Sequence, residues 1–215
     1  MVGGSVGRVL GVCTVLAAIH SLLASKPAKD LARRIVGPRY RNGLYRVAFN
    51  AKSVLFLAWA TWWFLRLPDR EIYRVRMPWS WLFRAGQVAS LGVLLSAVRV
   101  IGVLDFAGIS QLRSLLVGLD PNPEPEAQGP PLGADGRMVT AQPFSLTRHP
   151  SNLGALGVFL LFPRMTTNRL TLLIVVALYV VLGSLHEERR LRAAYGEPFE
   201  RYRQGVPFLV PLLQR

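Results

Sequence analysis

Apolar residues along this chain gather into long runs rather than alternating with polar ones. The runs cover residues 9–25, 45–67, 79–104, 150–162 and 170–185, with polar or basic connections between them. A helix rises about 1.5 Å per residue and a bilayer core is roughly 30 Å thick, so runs of this length, apolar on every side, predict membrane-spanning helices. The expected fold is an all-α integral membrane bundle of about five transmembrane helices, closing in a C-terminal hairpin whose second arm extends past the membrane. The first arm, residues 150–162, reaches only about 20 Å and must thin the bilayer, tilt little or re-enter.

The connections divide the chain further. Residues 1–104 read as a three-helix membrane region, residues 105–144 as a polar linker and residues 145–215 as the hairpin and its tail. The linker centre, Asp120-Pro121-Asn122-Pro123-Glu124-Pro125-Glu126, is excluded from helix because each proline lacks a donor and holds its predecessor extended. A basic loop is expected over residues 26–46, where only Asp30 opposes the lysines and arginines. Within the hairpin, Asn168 is the expected N-cap of the second arm and Gly196 its stop, with Glu188 and Arg192 set as an i,i+4 surface pair. Gly154, Ala155 and Gly157 on the first arm, like Ala89, Ser90, Gly92, Ser96 and Ala97 on the third span, admit close helix packing.

Composition agrees with a membrane protein: 51% of residues are hydrophobic, and mean hydropathy is +0.31. The net charge of +14 would suggest nucleic acid in a soluble protein. Here the basic residues stand mainly between apolar runs, where they anchor loops on anionic membrane lipid and set topology, so no nucleic-acid partner is expected. The basic bias of alternate connections places the N-terminus outside and the C-terminus in the cytoplasm. Cys13 is the single cysteine, which excludes an internal disulfide. The three histidines, His20, His149 and His186, have no metal-ligand spacing. His20 near the basic end of the first span reads as an interfacial histidine or as a functional ionisable group.

Polar chemistry collects at the two ends of the hairpin. If one arm enters the membrane and the other returns, the residues before the first and after the second emerge on one face, roughly a helix diameter of 10 Å apart. Arg148 and His149 then face Glu187 and Glu188. A cationic pair beside an acidic pair suits a zwitterionic ligand, with Arg or His on its carboxylate and Glu on its ammonium.

The residues that carry this chemistry also carry a resemblance. Arg148-His149-Pro150 followed by Gly154, then Glu187-Glu188-Arg189 with Leu191, Tyr195-Gly196, Tyr202, Val206-Pro207 and Pro211, resembles the C-terminal core of the isoprenylcysteine carboxyl methyltransferase and phospholipid methyltransferase superfamily. The string Pro163-Arg164-Met165-Thr166, with Tyr179, is similar to the bacterial branch that contains methanethiol S-methyltransferases. The resemblance covers about the last third of the chain. It implies methyl transfer from S-adenosylmethionine to a small thiol or lipophilic acceptor, with Arg148, His149, Pro150, Asn152, Glu187 and Glu188 in the cofactor site. His149 has a second candidate role, as the catalytic group that deprotonates the acceptor. Where the family usually carries a Tyr, this chain carries Asn152, which removes that ring and hydroxyl from the site.

Two other classes stay open from sequence. Sterol reductases resemble the same Arg-His-Pro hairpin and Tyr-Gly to Val-Pro pattern, which would imply a membrane reductase using NADPH. A non-catalytic membrane assembly factor is consistent with Asn152. Among acceptors a small thiol is favoured over a lipid, because Gly154 and Gly157 imply a tightly packed first arm and a small dry pocket.

Overall fold

The computed structural model describes residues 2–124 and 129–211, so Pro125 and Glu126 of the linker and the last residues of the tail lie outside the described residues. The described chain runs α1 (Val2–Ala24), α2 (Lys26–Phe64), β1 (Glu71–Arg74), α3 (Ser80–Ile101), α4 (Val103–Ala107), α5 (Ile109–Leu116), α6 (Pro150–Leu160), β2 (Arg164–Thr166), α7 (Thr167–Tyr195) and α8 (Glu197–Gly205). The chain is all-α apart from the short β1–β2 pair, as expected. By length and composition, Gly3–Ala24, Ser80–Ile101 and Thr167–Tyr195 are able to cross a membrane. Their outward faces bear Val15, Leu22, Val88, Leu95, Leu178 and Leu182, all more than half exposed, which water would not tolerate and lipid does.

The remaining two expected spans are shorter than the sequence suggests. The second lies in the distal half of α2, where Arg46, Asn50 and Lys52 interrupt its near end. The fourth is α6, whose 11 residues rise only about 16 Å.

Contacts divide the chain into two compact units. In the first, formed by residues 1–69 and 102–124, α1, α4 and α5 pack on α2. Residues 26–46, expected as a loop, are helical. Ser25 caps α2 by accepting from the Ala28 amide, and Pro27 sits in the first turn, where its missing N–H costs nothing. The helix breaks only at Gly37, with φ 81° and ψ 161°, immediately before Pro38. The start of the expected linker is also helical, as α4 and α5. Gly108 between them has φ +83° and lies so close to Val47 that a Cβ would sit 2.8 Å from its amide nitrogen. His20 of α1 lies against Phe49 of α2 with the rings tilted 57° and centroids 4.7 Å apart, its Nδ1 3.5 Å from Ser53 Oγ.

In the second unit, α3 packs along α6 and α6 packs on α7. β1 pairs antiparallel with β2, Glu71 opposite Thr166 and Arg74 opposite Arg164, so residues 67–79 hold more than a plain connection. That pairing holds Thr166 extended, and its side chain accepts from the Arg169 amide to cap α7, the role expected of Asn168. Gly196, φ 58°, ends α7 as expected. Beyond it α8 folds back so that Phe199 and Tyr202 pack with Leu191 and Met138.

Small residues set the α3–α6 distance. A Cβ on Gly154 would lie 2.5 Å from the Ser90 carbonyl oxygen and 2.8 Å from the Leu94 amide nitrogen, both backbone atoms that cannot rotate away. Gln87 also crosses the interface, donating to the Val158 carbonyl at 2.9 Å. Gly154→Leu is therefore expected to destabilise the detergent-solubilised protein by about 1–3 kcal/mol or more, the range for overpacking a close contact, whereas Gly183→Leu, with open space beside it, should change little. Paired thermal melts of the two variants check this.

Candidate functional site

The first residues of α6 and the last turns of α7 meet as the hairpin geometry requires. Pro150 starts α6 at a position that needs no N–H, and His149 precedes it as the N-cap, φ −126° and ψ 62°, without a side-chain cap. Within one turn of the end of the apolar part of α7, Glu187 and Glu188 face this end.

Arg148 and Glu188 pair directly. The arginine donates from Nε to Glu188 Oε1 at 2.6 Å, and its Nη1 donates to the carbonyls of Arg203 at 2.8 Å and Val206 at 2.6 Å. Its guanidinium also lies over the Phe208 ring, 5.6 Å from the centroid. The backbone reinforces this, since the Arg148 amide donates to the Pro207 carbonyl at 3.0 Å and Thr147 Oγ1 donates to the Phe208 carbonyl at 3.2 Å. One side chain therefore ties together α7, the last turn of α8 and the segment after it. Glu188 spends its carboxylate here rather than on Arg192, which pairs with Glu200.

His149 is almost wholly buried, 3% exposed on its side chain, between the two glutamates. Its Nδ1 is 3.4 Å from Glu187 Oε2, and its Nε2 is 3.4 Å from Glu188 Oε1 without hydrogen-bond geometry. The edge of the ring meets Phe208, with centroids 5.2 Å apart. Burial opposes protonation of the ring, yet the paired carboxylates outweigh it and raise the His149 pKa above the ordinary histidine value. Glu187 keeps the more open carboxylate, 24% exposed against 10% for Glu188.

Asn152, one turn into α6, donates to Ser184 Oγ at 2.7 Å and joins α6 to α7. Tyr202 donates its hydroxyl to the Phe144 carbonyl at 2.8 Å, and burial pushes its pKa up, so it serves as a structural donor. All six residues expected at the site, Arg148, His149, Pro150, Asn152, Glu187 and Glu188, thus lie at one junction. Sequence reasoning missed Thr147, Ser184 and Phe208. Ser184 had a signal, a small polar residue one turn before Glu188 in an apolar helix. Phe208 had none, because only the return of the tail brings it to the ring.

The raised His149 pKa gives a pH dependence with a definite sign. The unfolded chain binds this proton only below about 6.5, while the folded chain holds it to higher pH, so the stabilisation is complete below 6.5 and is lost as pH rises through the folded value. Melting midpoints in detergent are expected to fall as pH rises from 6.5, and His149→Gln should remove that part of the slope.

The chain is similar over most of its length to known proteins. It is 26% identical over 207 residues to the methanethiol S-methyltransferase of Pseudomonas deceptionensis, an alignment covering 94% of this chain and 71% of that one. Identity is 26% over 199 residues to methanethiol S-methyltransferase 1 of Bradyrhizobium diazoefficiens, covering 89% and 62%. It is 24% over 211 residues to the methanethiol S-methyltransferase of Crocosphaera subtropica, covering 95% and 74%. The resemblance read in the last third therefore extends over about nine-tenths of the chain. No family model matches the chain, and no solved structure matches it.

Proposed function

We propose that this protein transfers a methyl group from S-adenosylmethionine to a small thiol such as methanethiol, at the cytoplasmic face of a bacterial membrane. The observation that carries this reading is the meeting of His149 with Glu187 and Glu188 at the start of α6, in a chain similar nearly end to end to proteins named for that reaction.

The residues present fit the methyl donor. Among the described residues no arginine pairs with Glu187, whose partly open carboxylate suits an ammonium group. His149 is a buried cation-forming ring with one nitrogen lacking a hydrogen bond, and the adjoining first turn of α6 has no side-chain cap, so both favour a carboxylate nearby. Arg148 and Glu188 hold each other and the tail, and their part is to fix this wall rather than to grip opposite ends of the ligand. Asn152, anchored on Ser184, lines the same junction where a bulkier ring would otherwise stand.

When bound, S-adenosylmethionine would supply an electrophilic methyl group on a sulfonium. An acceptor thiolate would take that methyl group as the sulfonium C–S bond breaks, which would leave S-adenosylhomocysteine and a methyl thioether, with the thiol proton released to solvent. Opposite charges disappear along this path, so a dry site favours it more than an acid or base would. Thr147, His149 and Ser184, each 3% exposed or less, provide that exclusion of water. Because both nitrogens of His149 face carboxylates, its part is electrostatic positioning rather than proton abstraction.

We place this end of α7 in the cytoplasm, where the methyl donor is made. The segments assigned to that side, residues 26–46, the connection over residues 105–149 and the residues from Arg189 onward, carry 16 of the 26 Lys and Arg. Binding of labelled S-adenosylmethionine and of NADPH to the purified protein in detergent tests the reading. Saturable binding of the first alone is expected, and binding of NADPH alone would replace the methyltransferase with a reductase.

A further inference from the structure

We propose that the end of the second unit opposite the candidate site is a binding surface for anionic phospholipid. Three elements of that unit meet there. Gln87, in the second turn of α3, donates to Val158 near the end of α6, and a Cβ on Gly86 would lie 2.7 Å from Leu161, whereas Gly154 near the start of α6 lies against Leu94. The two helices are therefore antiparallel, and the start of α3 stands beside the end of α6. The segment of β1 joins them, with the Val75 amide donating to the Pro163 carbonyl at 2.7 Å and the Tyr73 hydroxyl to the Phe162 carbonyl at 3.3 Å. The whole length of α6 separates this junction from His149.

The surface combines an apolar rim with arginine. Met77, Trp79, Trp81 and Leu82 are 61–66% exposed. Tryptophan at the end of a membrane helix sits at the boundary of acyl chain and headgroup, which sets the neighbouring guanidiniums at the level of lipid phosphate. Residues 70–84 and 163–169 supply six arginines, Arg70, Arg74, Arg76, Arg84, Arg164 and Arg169, and those two stretches contain one acid, Glu71, with Asp69 just before it. Positive charge marks the cytoplasmic end of a span, which the placement above gives to the candidate site. Topology therefore does not account for arginines at this end, and an anionic partner does.

Two of the arginines are held as a pair. Arg74 and Arg164 are partners in the β1–β2 register and converge on one oxygen, Glu71 Oε2, Arg74 donating from Nη2 at 2.6 Å and Nε at 3.2 Å and Arg164 from Nε at 2.7 Å. The shared oxygen sets two guanidinium forks side by side. Among the described residues nothing else accepts from Arg74 Nη1 or from Nη1 and Nη2 of Arg164, and the two side chains are 56% and 53% exposed. A phosphodiester offers acceptor oxygens that match such forks, and its acyl chains lie against the apolar rim. A soluble phosphate would use the arginines and leave the tryptophans unused, so the surface fits a lipid.

The test titrates the full chain in detergent with short-chain phosphatidylglycerol, and with short-chain phosphatidylcholine as the probe that keeps phosphate and acyl chains but has no net charge. Phosphatidylglycerol is expected to bind saturably and about tenfold tighter or more, since each arginine near an anionic headgroup adds to the attraction. Arg74→Gln with Arg164→Gln should remove most of that preference, and Arg189→Gln with Arg201→Gln, exposed at the other end of the unit, should leave it in place. Arg76→Gln with Arg84→Gln serves if the first pair does not purify folded. Trp79→Ala with Trp81→Ala should weaken both lipids alike. Equal binding of the two lipids, a loss no greater than that of the Arg189 and Arg201 variant, or displacement of phosphatidylglycerol by inorganic phosphate at equal concentration would overturn the proposal.

Discussion

Arg148→Ala is expected to lower the stability of the second unit by about 3–5 kcal/mol, the cost of removing one partner from a buried ion pair. The arginine and Glu188 are 11% and 10% exposed on their side chains, so the glutamate left behind would be a nearly buried charge with only the His149 ring, 3.4 Å away, to offset it among the described residues. Two carbonyls, those of Arg203 and Val206, would lose their donor as well. The tail should loosen with them and become a protease target after α8. Arg148→Lys keeps the charge, but one ammonium cannot reproduce the fork that spans Glu188 and both carbonyls, so an intermediate loss is expected. Thermal melts in detergent with tail proteolysis check this, and a variant that melts within about 1 kcal/mol of the parent would show that the clamp does not bear load.

Glu187→Ala should do the reverse, sparing the fold and damaging ligand binding. Its carboxylate is partly open and, among the described residues, pairs with His149 at 3.4 Å, so its loss should cost the fold less than the loss of Arg148. If it takes the ammonium of S-adenosylmethionine, its loss should cost about 2–4 kcal/mol of affinity, roughly thirty- to a thousandfold in Kd. Equilibrium binding of the labelled donor beside a melting curve separates the two effects. Affinity within a factor of three of the parent would remove Glu187 from the site.

These opposite expectations for neighbouring glutamates mark where sequence reasoning stops. That Arg148 and His149 would meet Glu187 and Glu188 was legible, because two apolar arms of a hairpin bring their outer ends to one face. The division of labour among the four was not. It depends on the last turn of α8 and the segment after it returning to place the carbonyls of Arg203, Val206 and Pro207 against Arg148, and no periodicity encodes that return. The cap of α7 is similar. Thr166, Thr167 and Asn168 are all able to cap, and the pairing of β2 with a charged strand too short to show an alternating pattern chose Thr166. Charge likewise disguised the first half of α2, since lysine and arginine between apolar runs suggest a loop although both are good helix formers.

The measurement closest to the central claim is chemical. Membranes containing the protein, supplied with S-adenosylmethionine and methanethiol, are expected to release dimethyl sulfide into the headspace, and membranes with Glu187→Ala should release far less at the same donor concentration. Methylation of extracted lipid or of a prenylcysteine without dimethyl sulfide would contradict the thiol acceptor, and no methyl transfer to any of the three would contradict the methyltransferase reading itself.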